Sequence, residues 1–340
     1  MHILITGGCG FMGSHFVRHI IKNYPDYHVT NLDKLTYAGN PENLRDIEAV
    51  ERYRFIKGDI GDADLVNKIC EEGVSCIVNF AAESHVDRSI HDPKAFIMTD
   101  VVGTHTLLET VQRHSVQKYI QISTDEVFGS IEKGAFSETD PFLPNSPYSA
   151  SKAGGDLLCR AYHATYGTPV IVTHSANNYG PYQYPEKLMP LFMTNILEGK
   201  KVPVYGDGKN IREWIYVDDH SRAIDFILHH GLPGEVYNIG SGVNLTNIEI
   251  TNRILSLLGE DETSIEYVPD RLGHDRRYAV DSSKLRALGW KPQYEFEQGI
   301  KETVHWYQQH EEWWKPLKSG EHLDYFKKQY GKTATVGNTE

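Results

Sequence analysis

The stretch ITGGCGFMGSH, residues 5–15, decides the fold class. Two overlapping glycine motifs, G-x-G-x-x-G and G-x-x-G-x-x-G, both end at Gly13. The apolar run HILIT precedes them, a helical pattern follows, and Asp33 lies twenty residues after Gly13. Glycines in this strand, turn and helix context are typical of a dinucleotide-binding fold. The alternative interpretation is a glycine turn in an α/β protein that binds nothing.

Strand and helix patterns alternate along the first half of the chain. Apolar runs predict strands near residues 2–6, 29–32, 54–57, 75–80, 118–123 and 169–174. Helical patterns fall between them, near residues 12–22, 63–72, 93–114 and 147–166. Such alternation forms right-handed βαβ units, and continuous Val and Ile runs suit strands covered on both faces. The predicted fold class is α/β, with a Rossmann-type doubly wound parallel sheet.

The pattern changes after about residue 174, where prolines and glycines separate the predicted elements. This composition favours a smaller α/β substrate-binding domain beside the sheet. The predicted dinucleotide-binding domain is residues 1–173, with returning segments near 216–246 and 295–317. Residues 174–215 and 247–294 are the predicted smaller domain, and residues 331–340 are a predicted disordered tail.

Composition excludes several classes of protein. The 340 residues are 40% hydrophobic and 24% charged, as in ordinary globular proteins. A net charge of −12 argues against nucleic acid or an anionic membrane surface as partner, and no apolar stretch is long enough for a membrane span. The first residues, MHILITGG, predict a core strand rather than a signal peptide. The four cysteines have neither metal nor redox spacing, which favours reduced thiols and a cytoplasmic protein.

The acids that follow the second and third predicted strands suit a dinucleotide. Asp33 would accept hydrogen bonds from a ribose and repel a 2′-phosphate, which favours NAD over NADP. The adjacent Lys34 weakens that preference. Asp59 ends the third strand and is a candidate for the adenine edge, while Ala81 and Ala82 are small enough to admit the cofactor.

A Tyr-x-x-x-Lys spacing occurs three times, at residues 53/57, 148/152 and 205/209. The first pair falls in a predicted strand and the third flanks a turn. Only Tyr148 and Lys152 open a predicted helix, after Pro147. On one helical face, the ammonium and a cationic nicotinamide would lower the pKa of the tyrosine, which could then act as a base. The alternative is a surface Tyr–Lys pair.

The stretch QISTDEVFGS, residues 121–130, ends a predicted strand in Ser-Thr and continues with Asp125 and Glu126. At the carboxyl end of a parallel strand, the two carboxylates could be a catalytic acid and base. Taken alone, they favour an exposed polar turn, because Asp and Glu are mostly exposed. Neighbouring residues of a regular strand face opposite ways, so a shared site requires the strand to break there.

These motifs together resemble the extended short-chain dehydrogenase/reductase family, whose sugar-nucleotide members pair an NAD domain with a smaller domain. The segment STDEVFG is similar to the dTDP-glucose 4,6-dehydratases within that family. The resemblance extends to about residue 330. Further blocks that support it are DKLTYAGN (33–40), AAESHVDRSI (81–90), PYSASKA (147–153), NNYGPYQYPEKLMP (177–190) and DRLGHDRRYAVD (270–281).

The resemblance implies a reaction on dTDP-glucose that gives dTDP-4-keto-6-deoxyglucose and water, in 6-deoxysugar biosynthesis. NAD, tightly bound and recycled, would oxidise C4, water would leave across C5 and C6, and hydride would return to C6. By resemblance, Glu126 is the base at C5, Asp125 is the acid at C6, and Thr124 helps Tyr148 at the 4-hydroxyl. Two carboxyl groups in different environments can hold opposite protonation states.

The resemblance also assigns ligand contacts by residue. The implied cofactor contacts are Gly7, Gly10, Phe11, Met12, Gly13, Asp33, Lys34, Leu35, Thr36, Asp59, Ile60, Ala81, Ala82, Ser84, Thr99, Ser123, Tyr148, Lys152 and Asn178. The implied substrate contacts are His85, Thr124, Asp125, Glu126, Asn177, Lys187, Leu188, Pro203, Tyr205, Arg212, Asn247, Arg271 and His274. By sequence alone, any one of the arginines could equally be solvated or ion-paired.

Several alternatives stay open. A UDP-glucose 4,6-dehydratase would share the catalytic residues, whereas a UDP-sugar 4-epimerase would leave the two acids without a role. An NAD-sensing protein without enzymatic activity would not need Tyr148, Lys152 and the two acids together. The resemblance further implies a homodimer through a four-helix bundle of the helices near 93–114 and 147–166. His15 and His19 have helical metal-ligand spacing without a third ligand, so no metal is predicted. The loop between Phe128 and Tyr148 is shorter than in many of these dehydratases.

Overall fold

The computed structural model describes residues 1–271 and 273–318. The predicted tail, residues 331–340, lies outside the described residues. The first half follows the predicted alternation of strands and helices. Its strands are β1 (His2–Thr6), β2 (His28–Asp33), β3 (Tyr53–Lys57), β4 (Cys76–Asn79), β5 (Lys118–Thr124) and β6 (Val170–Ser175). Its helices are α1 (Phe11–Asn23), α2 (Ala63–Cys70), α3 (Val86–His91), α4 (Pro93–Phe96), α5 (Thr104–Arg113) and α6 (Pro147–Tyr166).

The second half adds shorter strands and further helices. The strands are β7 (Asn177–Tyr179), β8 (Val202–Tyr205), β9 (Ile211–Tyr216), β10 (Val236–Ile239), β11 (Asn244–Thr246) and β12 (Ile265–Val268). The helices are α7 (Leu188–Leu197), α8 (Val217–His230), α9 (Asn247–Leu258), α10 (Ser283–Ala287), α11 (Phe296–Gln309) and α12 (Glu311–Leu317).

Seven strands form one parallel sheet in the order β10-β6-β5-β4-β1-β2-β3. Helices cover both faces, which buries the continuous apolar strands and confirms the predicted Rossmann-type α/β fold. The strand order reverses beside β1, so the ends of β1 and β4 frame the crevice where such sheets bind ligands. A three-stranded sheet, β11-β9-β7, and a pair, β12-β8, form the smaller layer beside it.

The chain crosses between the two layers more than once. α8 packs on α1, and β10 pairs with β6 of the large sheet. By contrast, α11 contributes Phe296, Ile300 and Val304 to the core of the smaller layer, together with Trp214 of β9. These α11 residues recur every four positions, so the helix presents one apolar stripe to that core. The segment near 295–317, predicted to return to the dinucleotide-binding domain, therefore packs in the smaller layer.

The predicted helix near 93–114 is not uniform. Between α4 and α5, residues Ile97–Gly103 form a π-helical turn. The wider turn places Asp100 in the protein interior, with 1% of its surface exposed, while Ile97 and Met98 are each 51% exposed. π-helical turns are rare and are often found at functional sites. This one lies against α6, the helix of Tyr148 and Lys152.

Candidate active site

A cleft opens at the carboxyl edge of the large sheet and continues into a second cleft towards the smaller layer. The first cleft is lined by the glycine turn, the ends of β2 and β5, and the start of α6. The second is lined by α3, α7, β8 and the segment that contains Arg271. Ser84, Glu126, Asn177 and Lys187 line both clefts, so ligands in the two would meet at these residues.

The glycine turn shapes the floor of the first cleft. Gly7 has φ +67°, and a Cβ there would lie 2.6 Å from the backbone nitrogen of Ala81. A Cβ at Gly13 would collide with the carbonyl oxygen of Gly7. α1 begins at Phe11 immediately after the turn, and its first amides face an anion-binding position at a helix N-terminus. This arrangement fits the diphosphate of a dinucleotide.

Asp33 connects two backbone segments on the side of the cleft where an adenosine would lie. Its carboxylate accepts hydrogen bonds from the backbone nitrogens of Cys9 (2.9 Å) and Leu35 (2.8 Å). Burial raises the pKa of Asp33, and these two amide donors oppose the rise. Lys34 forms an ion pair with Asp59 at 2.7 Å. This pairing neutralises the charge of Lys34, the cation that was expected to weaken the preference for NAD over NADP.

The implied cofactor contacts lie together, with one exception. Leu35 has φ +57° and packs on the core below the cleft, and it is absent from the cleft lining among the described residues. Its assignment as a cofactor contact stays a prediction. The other implied cofactor contacts all line the first cleft: they are Gly7, Gly10, Phe11, Met12, Gly13, Asp33, Lys34, Thr36, Asp59, Ile60, Ala81, Ala82, Ser84, Thr99, Ser123, Tyr148, Lys152 and Asn178.

The Thr-Asp-Glu segment stands where strand β5 breaks. β5 ends at Thr124, and Asp125–Phe128 form a single 3₁₀ turn closed by Gly129 at φ +79°. The Thr124 hydroxyl accepts a hydrogen bond from the backbone nitrogen of Glu126 at 3.3 Å. Asp125 is 2% exposed and both acids line the first cleft, which excludes an exposed polar turn.

The two carboxyl groups have different electrostatic surroundings. Burial and the charges of Glu126 and Glu213 raise the pKa of Asp125 well above its ordinary value. Burial also raises the pKa of Glu126, but Arg271, Arg212 and Lys187 oppose that rise. Asp125 therefore keeps a proton more readily than Glu126, as an acid and a base acting together require.

Tyr148 and Lys152 lie in the first turns of α6. Ser146 caps this helix in a capping box with Ser149, which fixes the turn that carries Tyr148. The Thr124 side chain acts on the Tyr148 phenol and favours its ionised form. The buried Lys152 ammonium donates to the carbonyl of Ile122 at 2.7 Å. The Tyr–Lys pair therefore lines the cleft rather than the outer surface.

The pKa of Tyr148 is shifted in the direction opposite to the sequence-based expectation. Burial and the charges of Glu126 and Asp100 raise it well above its ordinary value, and the hydrogen bond from Thr124 opposes the rise. The charges of two carboxylates from other elements act on the phenol, which a helical spacing cannot reveal. A cationic ring beside the phenol would counter these negative charges.

The second cleft concentrates cations in an acidic protein. The Arg212 guanidinium donates to the backbone oxygen of Asp275 at 3.0 Å and lies 4.1 Å above the ring of Tyr278. Arg271 pairs with Asp87 at 3.5 Å. The implied substrate contacts in this cleft are His85, Glu126, Asn177, Lys187, Leu188, Pro203, Tyr205, Arg212, Asn247, Arg271 and His274, and Thr124 and Asp125 line the adjoining first cleft.

His274 is a neutral contact in this cleft. Burial and Arg271 lower its pKa to about 4, and its Nδ1 lies 2.5 Å from a carboxylate oxygen of Asp270. An uncharged imidazole can still hydrogen-bond to a phosphate oxygen as a donor. The cationic charge near a bound diphosphate would therefore come from Arg212, Arg271 and Lys187.

Sequence reasoning missed two residues that support Glu126 in the site, Tyr278 and Asp275. Tyr278 donates to the Asp275 carboxylate at 2.7 Å and lies 3.4 Å from a carboxylate oxygen of Glu126. Asp275 also accepts from Asn145 at 2.7 Å, just before α6. The block DRLGHDRRYAVD contains both Tyr278 and Asp275, but nothing in a linear pattern shows that they fold against residue 126.

Asp100 is a buried carboxyl behind the Tyr148 helix. It accepts a hydrogen bond from the Ser151 hydroxyl at 2.6 Å, and burial raises its pKa to about 6. The folded protein thus binds this proton more tightly than the unfolded chain does. Stability is favoured below the unfolded pKa and is lost as pH rises through the folded pKa.

Asp100→Asn is expected to gain stability over the wild type as pH rises from about 4 to above about 6. The gain should reach at most about 3 kcal/mol, because about two pKa units separate the folded and unfolded carboxyl. Thermal unfolding at about pH 5 and about pH 8 measures it, with the exposed Asp26→Asn as a control. An unchanged difference between the wild type and Asp100→Asn at the two pH values would contradict it.

His15 and His19 contact acids rather than a metal site. His15 lies 2.9 Å from Asp218, and His19 lies 2.8 Å from Asp225. Within residues 1–271 and 273–318, no group of three or more His, Cys, Asp or Glu side chains is arranged to hold a metal ion. None of the helices in the described part of the chain is long and apolar enough to cross a membrane.

The sequence profile of the family described as GDP-mannose 4,6 dehydratase matches residues 4–303. The chain belongs to this family. The dTDP-glucose 4,6-dehydratase of Streptomyces niveus is 51% identical to the chain, over 94% of the chain and 96% of that relative. The crystal structure of DesIV, the dTDP-glucose 4,6-dehydratase of Streptomyces venezuelae, contains NAD. It is similar with a TM-score of 0.92 and 52% identity, covering 94% of this chain and all of that one.

A second kind of enzyme shares the fold at lower identity. The UDP-glucose 4-epimerase of Thermotoga maritima is similar with a TM-score of 0.84 and 31% identity, covering 91% of this chain and 99% of that one. Both comparisons place this member of the GDP-mannose 4,6 dehydratase family among Rossmann-type proteins. Residues in the cleft, above all the paired acids, must distinguish dehydration from epimerisation.

Proposed function

We propose that the protein is a dTDP-glucose 4,6-dehydratase, an NAD-dependent hydro-lyase of deoxysugar biosynthesis. The observation that carries the proposal is the pair of buried Asp125 and half-buried Glu126, which have unlike electrostatic surroundings and line the same cleft as Tyr148. A 4-epimerase only oxidises and re-reduces one carbon, so it has no use for such a pair. The roughly 50% identical relatives named as dTDP-glucose 4,6-dehydratases support the same assignment.

NAD fits the first cleft, and when bound it supplies a hydride acceptor and later a hydride donor. Gly7, Gly10 and Gly13 admit its diphosphate, and Asp33 bounds its adenosine side. Lys152, which donates to the Ile122 carbonyl, lines this cleft together with Tyr148 and the two acids. These residues would hold NAD in the first cleft, which meets the second cleft at Ser84, Glu126, Asn177 and Lys187.

The side chains divide the proton transfers among themselves. Tyr148 removes the proton of the 4-hydroxyl as hydride leaves C4. The resulting ketone acidifies C5, so Glu126 can remove the C5 proton while Asp125 protonates the departing C6 hydroxyl. Glu126 returns its proton to C5 when hydride reaches C6. The proton taken from the 4-hydroxyl balances the one that Asp125 gave up, and the net loss is one water.

Mass spectrometry after incubation with dTDP-glucose and, separately, UDP-glucose tests the proposed function. Loss of one water from dTDP-glucose without an added reductant is expected. A mass-neutral conversion to the galactose isomer would indicate an epimerase instead. Equal dehydration of UDP-glucose would extend the substrate class, because a missing thymine methyl is worth only about 1–3 kcal/mol in an apolar pocket.

A homodimer through α6 and the π-helical turn remains part of the proposal. Met98 and Leu157 are 51% and 52% exposed, and Ile97 and Val102 extend the same apolar character along the segment. Apolar side chains exposed in this number on adjacent helices mark a surface for association. The free thiols of all four buried cysteines support the further proposal of a cytoplasmic location.

Leu157→Lys is expected to weaken dimerisation by at least about tenfold, because two-fold symmetry buries the new charge twice. Sedimentation velocity across a range of protein concentrations measures the change. The control is Leu232→Lys, a 62% exposed leucine between α8 and β10. A wild-type protein that sediments as a monomer at every concentration would contradict the dimer.

A further inference from the structure

Tyr37 lies in the loop that follows β2 and borders the cofactor cleft. Its neighbours Thr36, Ala38 and Gly39 line the cleft. The loop is closed on itself by a hydrogen bond from the nitrogen of Gly39 to the oxygen of Thr36, 3.0 Å long. From this loop the Tyr37 ring reaches residues of two other segments.

The Tyr37 ring is held between a cation and a second aromatic ring. The Arg88 guanidinium lies 3.8 Å from the centroid of the Tyr37 ring. The Tyr184 ring meets it edge-on, with centroids 5.5 Å apart. The Tyr37 hydroxyl lies 3.5 Å from the Ser84 hydroxyl, and Arg88 donates to the Glu186 carboxylate at 2.9 Å. The Glu186 side chain is 1% exposed, so this polar contact is sheltered from water.

These contacts join three segments that frame the cleft. Tyr37 follows β2, Arg88 belongs to α3 after β4, and Tyr184 and Glu186 precede α7 of the smaller layer. Tyr184 itself lines the cofactor cleft. When the Tyr37 ring is seated, the loop at 36–39 is therefore tied to the smaller layer along one edge of the cleft.

The same cluster reaches the substrate cleft. Lys187, next to Glu186 in the chain, donates a hydrogen bond to the backbone oxygen of Ser84. Lys187 and Ser84 line both clefts. The segment 184–187, whose Tyr184 ring contacts Tyr37, is therefore also part of the substrate site.

We propose that Tyr37, seated between Arg88 and Tyr184, retains the dinucleotide throughout the catalytic cycle. This inference rests on the proposed function, in which the hydride removed from C4 must return to the same sugar. A reduced cofactor that escaped after the first step would leave the ketone intermediate stranded. Opening of the 36–39 loop is the step that release requires, and the Tyr37 contacts oppose it.

Tyr37→Ala is expected to release bound NAD about tenfold faster, because a sheltered cation–π contact is worth about 1–2 kcal/mol. Radiolabelled NAD is bound to the purified protein and chased with a large excess of unlabelled NAD. Tyr37→Phe keeps the ring between Arg88 and Tyr184 and should restore most of the retention. Tyr267→Ala is the matched control, since Tyr267 is 61% exposed on β12.

Arg88→Lys provides a second route to the same result, because it keeps the charge for Glu186 but removes the flat group that covers the ring. It should also release NAD faster than the wild type. Unchanged release from both Tyr37→Ala and Arg88→Lys would overturn the retention proposal and leave the proposed function intact. A wild-type protein that binds no NAD would overturn both.

Discussion

Glu126→Gln should lower the rate of water elimination by at least about 10²-fold while leaving NAD bound and C4 oxidation possible. The amide keeps the size of the side chain but cannot accept the C5 proton. Glu126 lies among Arg271, Arg212 and Lys187, which favour its ionised form and hence its use as a base. Reduced cofactor should therefore accumulate on the variant once dTDP-glucose is added.

Two measurements distinguish the specific loss of the base at C5 from a general loss of structure in the Glu126→Gln variant. The absorbance of reduced nicotinamide reports oxidation at C4. Turnover in D₂O reports removal of the C5 proton, because exchange of the Glu126 proton with solvent before its return should place deuterium at C5 in the wild type, and the variant should incorporate none. Glu132→Gln, an exposed acid in the same segment, should behave like the wild type. Product formation at the wild-type rate by Glu126→Gln would remove the base assignment.

Local signals explain why so much of the fold could be predicted. The glycine motif, the apolar strand and Asp33 lie within one βαβ unit, so their spacing alone specifies the dinucleotide turn. The break of β5 at Thr124 was likewise predictable, because two neighbouring acids can share one cleft only where a strand ends. Pro147 and Ser146 mark the start of α6 for similarly local reasons.

The remaining features depend on contacts between distant segments. The π-helical turn at Ile97–Gly103 adds a residue to the helical turn, and the pattern of apolar residues in the sequence does not reveal it. This turn buries Asp100 behind the active site. The upward shift of the Tyr148 pKa depends on burial and on the charges of Glu126 and Asp100, which come from two other elements. The packing of α11 depends on the core of the smaller layer, since an amphipathic stripe does not specify its partner.

Tyr148→Phe should abolish the first step, with product formation reduced by about 10²- to 10⁴-fold and no reduced cofactor formed. The variant keeps the ring, which packs edge-on against Phe96 with centroids 6.2 Å apart, so α6 should remain in place. It loses only the phenol hydroxyl, the group that the proposed mechanism uses to remove the 4-hydroxyl proton. Stopped-flow absorbance of nicotinamide after mixing with dTDP-glucose measures the effect.

The absorbance separates the two variants by the step at which they stop. Glu126→Gln halts after hydride has left C4, whereas Tyr148→Phe halts before it. Tyr53→Phe, from another Tyr-x-x-x-Lys pair that lies on strand β3, is the control for loss of a phenol at the same sequence spacing. Reduced cofactor appearing on Tyr148→Phe at the wild-type rate would assign the removal of the 4-hydroxyl proton to another group, and Thr124 is the hydroxyl already in contact with the phenol. A silent trace for Tyr148→Phe beside a rising one for Glu126→Gln would establish that oxidation at C4 precedes loss of the C5 proton.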